Sequence, residues 1–250
     1  DEIFTEPGLR ADLEIAKLAY YEQAMGDFAV AVSSEDNTNF EMSASLNGAG
    51  NEVLINGAYR DGGVLDLQLA MQQLQLASIE PFSLGYLTNT EGYLQGDLSI
   101  GGTVNKPEID GQVNFRDAVL SISLLGSSYR LNDQSIRFNG NTILFDQFTL
   151  LDVNNNNATL DGRVVVNTLE NIQLDLQART KDFLAVNSTE KDNDLFYGYL
   201  RVDADVTIGG TATEPRLIVA ASPSSESNLT YAYSSTDQAR IETTQGVITF

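Results

Sequence analysis

A chain of 250 residues with 14 basic against 35 acidic side chains carries a formal net charge of −21, which repels phosphate backbones and excludes nucleic acid as a partner class. Cys, His and Trp are absent, so disulfide frameworks, thiolate chemistry and histidine-based proton transfer or metal ligation are excluded too. No window approaches the ~18 uninterrupted apolar residues of a membrane-spanning helix, and the acidity leaves apolar contact as the only route to lipid.

Apolar and polar residues alternate from the start. Leu9, Ala11, Leu13 and Ile15 are separated by Arg10, Asp12 and Glu14, and a period of two predicts a strand with one apolar face. Residues 15–25 are alanine-rich and admit a helical reading, as do residues 78–87, where Pro81 permits one or two turns. Little helix is expected elsewhere. Alternation resumes through Phe28, Val30 and Val32, then Phe40, Met42, Ala44 and Leu46, then Leu65, Leu67, Leu69 and Met71. Further along it includes Leu98 and Ile100, Ile109 to Phe115 through Val113, Ile136 and Phe138, Ile143 and Phe145, and Leu160 to Val166 through Val164. Two more runs are Ile172, Leu174, Leu176 and Ala178, and Leu200, Val202, Ala204, Val206 and Ile208. Turn clusters at Asn47-Gly48, Asp61-Gly62-Gly63, Asn139-Gly140-Asn141 and Asn154 through Asn157 separate these runs, so antiparallel connections are expected. Residues 182–197 lack alternation and read as a loop.

An internal repeat organises the runs. Gly92-Tyr93-Leu94, Ile100-Gly101-Gly102-Thr103 and Pro107 return as Gly198-Tyr199-Leu200, Ile208-Gly209-Gly210-Thr211 and Pro215. Upstream, Leu65 to Leu69 is echoed by Ile172 to Leu176, with Leu67 matched to Leu174. The expected units are a partial first repeat over 1–91, a second over 92–197, and the start of a third with C-terminal strands over 198–250.

These blocks, together with Glu190-Lys191-Asp192-Asn193-Asp194-Leu195-Phe196-Tyr197-Gly198 and Thr243-Thr244-Gln245-Gly246-Val247-Ile248-Thr249-Phe250, resemble the C-terminal region of TamB-like translocation and assembly proteins of the Bacteroidetes type, within the AsmA-like group. The resemblance covers about residues 9–250. It implies an elongated, curled periplasmic sheet with an apolar concave face, an inner-membrane anchor outside this chain, phospholipid as cargo and a BamA-like outer-membrane barrel as a possible partner.

Candidate chemistry is weak. Asp110, Asp117 and Asp152 could in principle supply a glycosidase-like pair, but spacing alone brings no two together and solvated faces and turns explain them better. A serine nucleophile would need a lysine or other base in place of histidine. Asp192-Asn193-Asp194 opens like a calcium loop without the glycine and distant glutamate that complete one. Sequons at Asn157, Asn187 and Asn228 carry no assigned role, and neither a catalytic residue, a metal nor a cofactor is expected.

The apolar stripes carry the functional weight. Their ordinary explanation is the core of a closed β-sandwich, but mainly Leu, Ile, Val and Ala stripes, the long repeat and the family resemblance favour an all-β, mostly antiparallel sheet curled into an open, taco-like trough. Its expected lining is Leu13, Ile15, Phe28, Val30, Leu67, Leu69, Leu98, Ile100, Val113, Phe115, Ile136, Phe138, Ile143, Phe145, Leu160, Val164, Leu174, Leu176, Val202, Val206 and Ile208. The expected function is a non-enzymatic conduit for acyl chains, with a scaffold or chaperone for outer-membrane proteins as the alternative. In such a trough Leu174→Arg folds but interrupts lipid, and Arg201→Glu, of opposite parity, is expected to be silent.

Overall fold

The computed structural model describes residues 8–168 and 170–232, so the 243–250 block lies outside the described residues. Alternation becomes strand nearly everywhere. The chain runs through β1 (Leu9–Tyr20), β2 (Gln23–Ser34), β3 (Phe40–Gly48), β4 (Asn51–Arg60) and β5 (Val64–Gln75) before a short helix, α1 (Leu76–Ile79), and a 3-10 turn at Glu80–Ser83. Two long strands follow, β6 (Leu87–Thr103) and β7 (Lys106–Ile122), then β8 (Ser127–Leu131), β9 (Ser135–Asn139), β10 (Thr142–Leu151) and β11 (Asn157–Thr168). The second long pair is β12 (Asn171–Ser188) and β13 (Phe196–Thr211), completed by β14 (Pro215–Pro223) and β15 (Asn228–Tyr231).

All of these strands belong to one 15-stranded sheet whose order follows the chain. The short strands are halves of longer ones. β8 and β9 each pair with both β7 and β10, and β14 and β15 pair with successive parts of β13. Every pairing is antiparallel, as expected of strands joined by short turns. Among the described residues no second sheet packs face to face on this one, so the closed sandwich is not the architecture.

The curl has a local cause. Lys17, Gln147 and Asp182 adopt left-handed φ values of 53°, 49° and 49°, each at a break in register. Each donates its backbone N–H to a carboxylate on the paired strand: Asp27 at 2.8 Å, Asp161 at 2.7 Å and Asp203 at 2.6 Å respectively. A bulge bends its strand and increases the local right-handed twist, so three acidic side chains fix three bends. Gly162 adds to this at φ 122°, where a Cβ would lie 2.2 Å from the Asp175 carbonyl oxygen.

Two sequence expectations are corrected by these bulges. Residues 15–25 are strand, turn and strand, because the bulge at Lys17 separates inward Ile15 and Leu18 by three positions and so imitates a helical period. The expected 182–197 loop shrinks to residues 189–195, because β12 continues to Ser188 beyond the bulge at Asp182. The 78–87 expectation matches α1 and the turn after it.

The repeated motif folds the same way twice. Gly102 pairs with Pro107 and Ile100 with Ile109; Gly210 pairs with Pro215 and Ile208 with Leu217. In both hairpins the threonine hydroxyl oxygen accepts from the backbone N–H that closes the turn, Lys106 to Thr103 at 3.2 Å and Glu214 to Thr211 at 3.1 Å. The upstream strand is displaced by two residues from the sequence alignment. Ile100 lies beside Leu67, but Ile208 lies beside Leu176 instead of Leu174. A shift of two preserves which face a side chain takes.

Opposite these hairpins the sheet ends are tied together by buried polar groups. Asn51, at the β3–β4 turn, donates to the Met25 carbonyl and the Ser78 hydroxyl at 2.8 Å each and accepts from the Gln75 N–H at 2.8 Å. α1 is thereby held over the end of the β3–β4 hairpin. At the β10–β11 turn, buried Asp152 accepts from the N–H groups of Asn154, Asn156 and Leu184. Tyr129 of β8 stacks on Phe183 of β12 with centroids 5.2 Å apart, and its hydroxyl donates to the Ala185 carbonyl at 2.9 Å.

Candidate functional site

Register places the expected lining residues on one surface. From β1 to β13 the partners run Leu13, Val30, Ala44, Ile55, Leu69, Leu98, Gly111, Phe138, Ile143, Val164, Leu174 and Gly210, without a polar side chain. Side chains two positions apart on a strand share a face. A second row therefore accompanies the first: Ile15, Phe28, Leu46, Val53, Met71, Gly96, Val113 and Ile136. Phe145, Gly162, Leu176 and Ile208 follow as partners on β10 to β13. Leu67 and Ile100 pair in a third row.

Beyond the bulges parity no longer assigns the face, and packing does. Phe115, Ile136, Phe145 and Leu160 pack on the buried cluster of Leu76, Ala118, Leu131 and Phe148. Phe148 meets Phe115 and Phe145 edge to face at 5.6 and 5.7 Å. Val206 is reached through Leu160 and Ala178, and Val202 pairs with Phe183.

Exposure varies along this surface. At β1, Leu13 is 50% exposed, while in the middle Met71, Leu98 and Val113 form a buried cluster. At β14, Leu217 and Val219 are again 59% and 58% exposed. The centre is the most closed stretch, and Leu76 of α1 belongs to its packing. The expected lining omitted Met71 and Leu94, which share the parity of Leu69 and Leu98, and it missed Leu74, Leu76 and Phe148, whose inward direction depends on bulges or on α1.

The opposite surface is a ladder of charge. Arg137 pairs with Asp146 at 3.1 Å, Arg163 with Asp175 at 3.2 Å and Arg179 with Asp205 at 3.2 Å. A shallow concavity of about 580 Å³ opens among Arg137, Asp146, Asp161, Arg163, Asp175 and Gln177. Its charges are mutually paired cross-strand contacts of the kind that sheets use for support. Arg201 is a correction: its side chain is only 15% exposed and bonds both the carboxylate and the carbonyl of Asp182 at the bulge, so Arg201→Glu is not expected to be silent. Those bonds and the adjoining Tyr199 push the guanidinium pKa upward.

Of the carboxylates considered for chemistry, Asp110 and Asp152 are occupied structurally. Asp110 accepts from the Gly140 N–H at 3.0 Å. Burial would raise the Asp152 pKa, but N–H donors from Leu184, Asn156 and Asn154 outweigh that and hold the carboxyl below its ordinary value. Asp192 accepts from the N–H and hydroxyl of Thr189, both at 2.7 Å, which lowers its pKa. Asn193, between Asp192 and Asp194, donates to the Leu124 carbonyl at 3.3 Å. Sequence reasoning also passed over one Ser-x-x-Lys spacing, Ser188 to Lys191. It falls at the end of β12 and in the following exposed loop, not on a helix, where residues three apart would share a face.

Searches of curated proteins and of solved structures each returned no match. Residues 146–249 match the family model described as the TamB C-terminal domain, which spans β11 to β15 and most of β10 among the described residues. Over residues 146–249 the chain is therefore TamB-like, and the same antiparallel sheet continues through the strands before residue 146.

Proposed function

We propose that this chain is a non-enzymatic segment of a periplasmic conduit, in which the apolar face shields phospholipid acyl chains between the inner and outer membranes. TamB-like proteins belong to the cell envelope, and among the described residues no helix is long and apolar enough to cross a membrane. The observation that carries the reading is the row from Leu13 to Gly210, which crosses twelve positions of one sheet without a polar side chain. Each Leu, Ile, Val or Phe that an acyl chain covers fully contributes on the order of 1.5–3 kcal/mol. A lining without fixed polar anchors lets the chain slide instead of locking it in place. We further propose that 92–197 and the stretch from 198 are successive repeats, with 1–91 a partial preceding one and the inner-membrane anchor elsewhere in the full protein.

Mass spectrometry of an organic extract of the purified protein tests the conduit: co-purifying phospholipid supports it, and none at any preparation scale contradicts it. A second reading has its own observation. Among the described residues β14 pairs with β13 alone, and its Leu217, Ile218 and Val219 are exposed on both faces. An open strand of this kind favours a scaffold that adds a strand to a BamA-like barrel partner.

A further inference from the structure

At the end of the sheet opposite the Gly-Gly-Thr hairpins, the β1–β2 turn and the segment after α1 enclose a shallow groove of about 550 Å³, with Tyr20, Tyr21, Glu80 and Leu84 among its walls. The Tyr20 and Tyr21 rings stand edge to face, centroids 4.7 Å apart and planes at 89°, so they form a corner. Phe82 stacks on Tyr20 at 4.9 Å with the planes 15° apart and steadies that ring. None of this serves the core: Tyr21 is 79% exposed, and Tyr20, Phe82 and Leu84 are exposed as well. The Glu80 carboxylate is held in place by the N–H and hydroxyl of Thr90, both at 2.9 Å to Oε2. Among the described residues no Lys or Arg lines the groove.

Aromatic faces carry negative electrostatic potential, and a fixed carboxylate beside them adds charge of the same sign. A cation with an apolar coat satisfies both, whereas a hard metal ion would need several oxygen ligands. We propose that this groove binds a quaternary ammonium group of the choline type, free in solution or on a lipid headgroup. The proposal stands on the chemistry of the groove and does not require the apolar face to carry acyl chains.

The test is titration of the protein with choline chloride and with tetramethylammonium chloride, against sodium chloride at equal ionic strength, followed by calorimetry and by the tyrosine ring resonances. Saturable binding of both ammonium salts, with sodium inert, is expected. Tyr21→Leu keeps the apolar area and removes the π face; Glu80→Gln keeps a hydrogen-bond acceptor for Thr90 and removes the charge. Each weakens binding by about two- to five-fold or more. Tyr21 is exposed enough for its variant to keep the parent Tm, so it carries the test if Glu80→Gln unfolds. Phosphatidylcholine vesicles that bind while phosphatidylglycerol vesicles do not assign the site to a headgroup; choline binding without vesicle binding assigns it to a soluble compound. No saturation by either salt, or an affinity unchanged by Tyr21→Leu, overturns the proposal.

Discussion

Asp152 shows how a single acidic residue serves this fold. Its carboxylate is buried and gathers backbone donors from its own turn and from Leu184 on β12, joining strands that would otherwise part where the β10–β11 hairpin stops. Replacing Oδ2 by an amide in Asp152→Asn turns an acceptor into a donor facing the Leu184 N–H, and a buried unsatisfied donor costs about 1–3 kcal/mol. For a chain of this size each kcal/mol corresponds to roughly 2–4 °C in Tm, and a thermal melt at neutral pH reads the loss. The pH dependence follows from the lowered pKa. A carboxyl depressed in the folded state contributes stability above its unfolded value, and that contribution disappears as the pH falls through the lower, folded value. Melts from pH 7 down to acid should therefore converge for the wild type and Asp152→Asn. Arg201 belongs to the same scale: Arg201→Glu puts a carboxylate against Asp182 and should lower Tm, while Arg163→Glu on the exposed ladder should change it far less.

Among the elements, the bulged strand is the unit that shapes the molecule, and it is also where sequence reading fails. Regular alternation was legible, and with it the strands, their antiparallel connections and the faces of Leu69, Leu98, Val164 and Leu174. A bulge inserts a residue and reverses parity, so Leu18 looked helical and Phe183 and Val186 looked like loop. The signal that could have found the bends is an aspartate opposite the break, as with Asp27, Asp161 and Asp203, but such residues are indistinguishable in sequence from the many solvated acids. Asp161→Ala should remove the acceptor for the Gln147 N–H, costing about 1 kcal/mol, or roughly 2–4 °C in Tm. Gly162→Ala should cost more, because it adds backbone strain at a left-handed φ, of order 1–3 kcal/mol, to a collision with the Asp175 carbonyl. Amide exchange should rise at β10 and β11 in both variants and stay unchanged at the Thr103 and Thr211 hairpins.

For the whole molecule, one continuous apolar surface on a single sheet separates a trough from a closed core, and two substitutions distinguish the stretches. Leu131 is fully buried in the central cluster, so Leu131→Arg leaves an unpaired charge without water and should unfold the chain, a loss of several kcal/mol. Leu174 is half-buried beside Val164 and Gly210, so a guanidinium at this position can reach solvent. Leu174→Arg should keep a cooperative melt with a modest drop in Tm. How far the central clusters close over the face was not legible in the sequence, because it depends on α1 and on contacts between strands distant along the sheet. The most direct test is a photo-crosslinker placed in cells, in the full protein, at Leu13, Leu69, Leu98 and Leu174 along the inner row and at Gln68, Ser99 and Asp175 on the outer face. Phospholipid adducts at every inner position and none at the outer ones are predicted; equal labelling of the two faces, or no lipid on the inner row, would contradict the conduit.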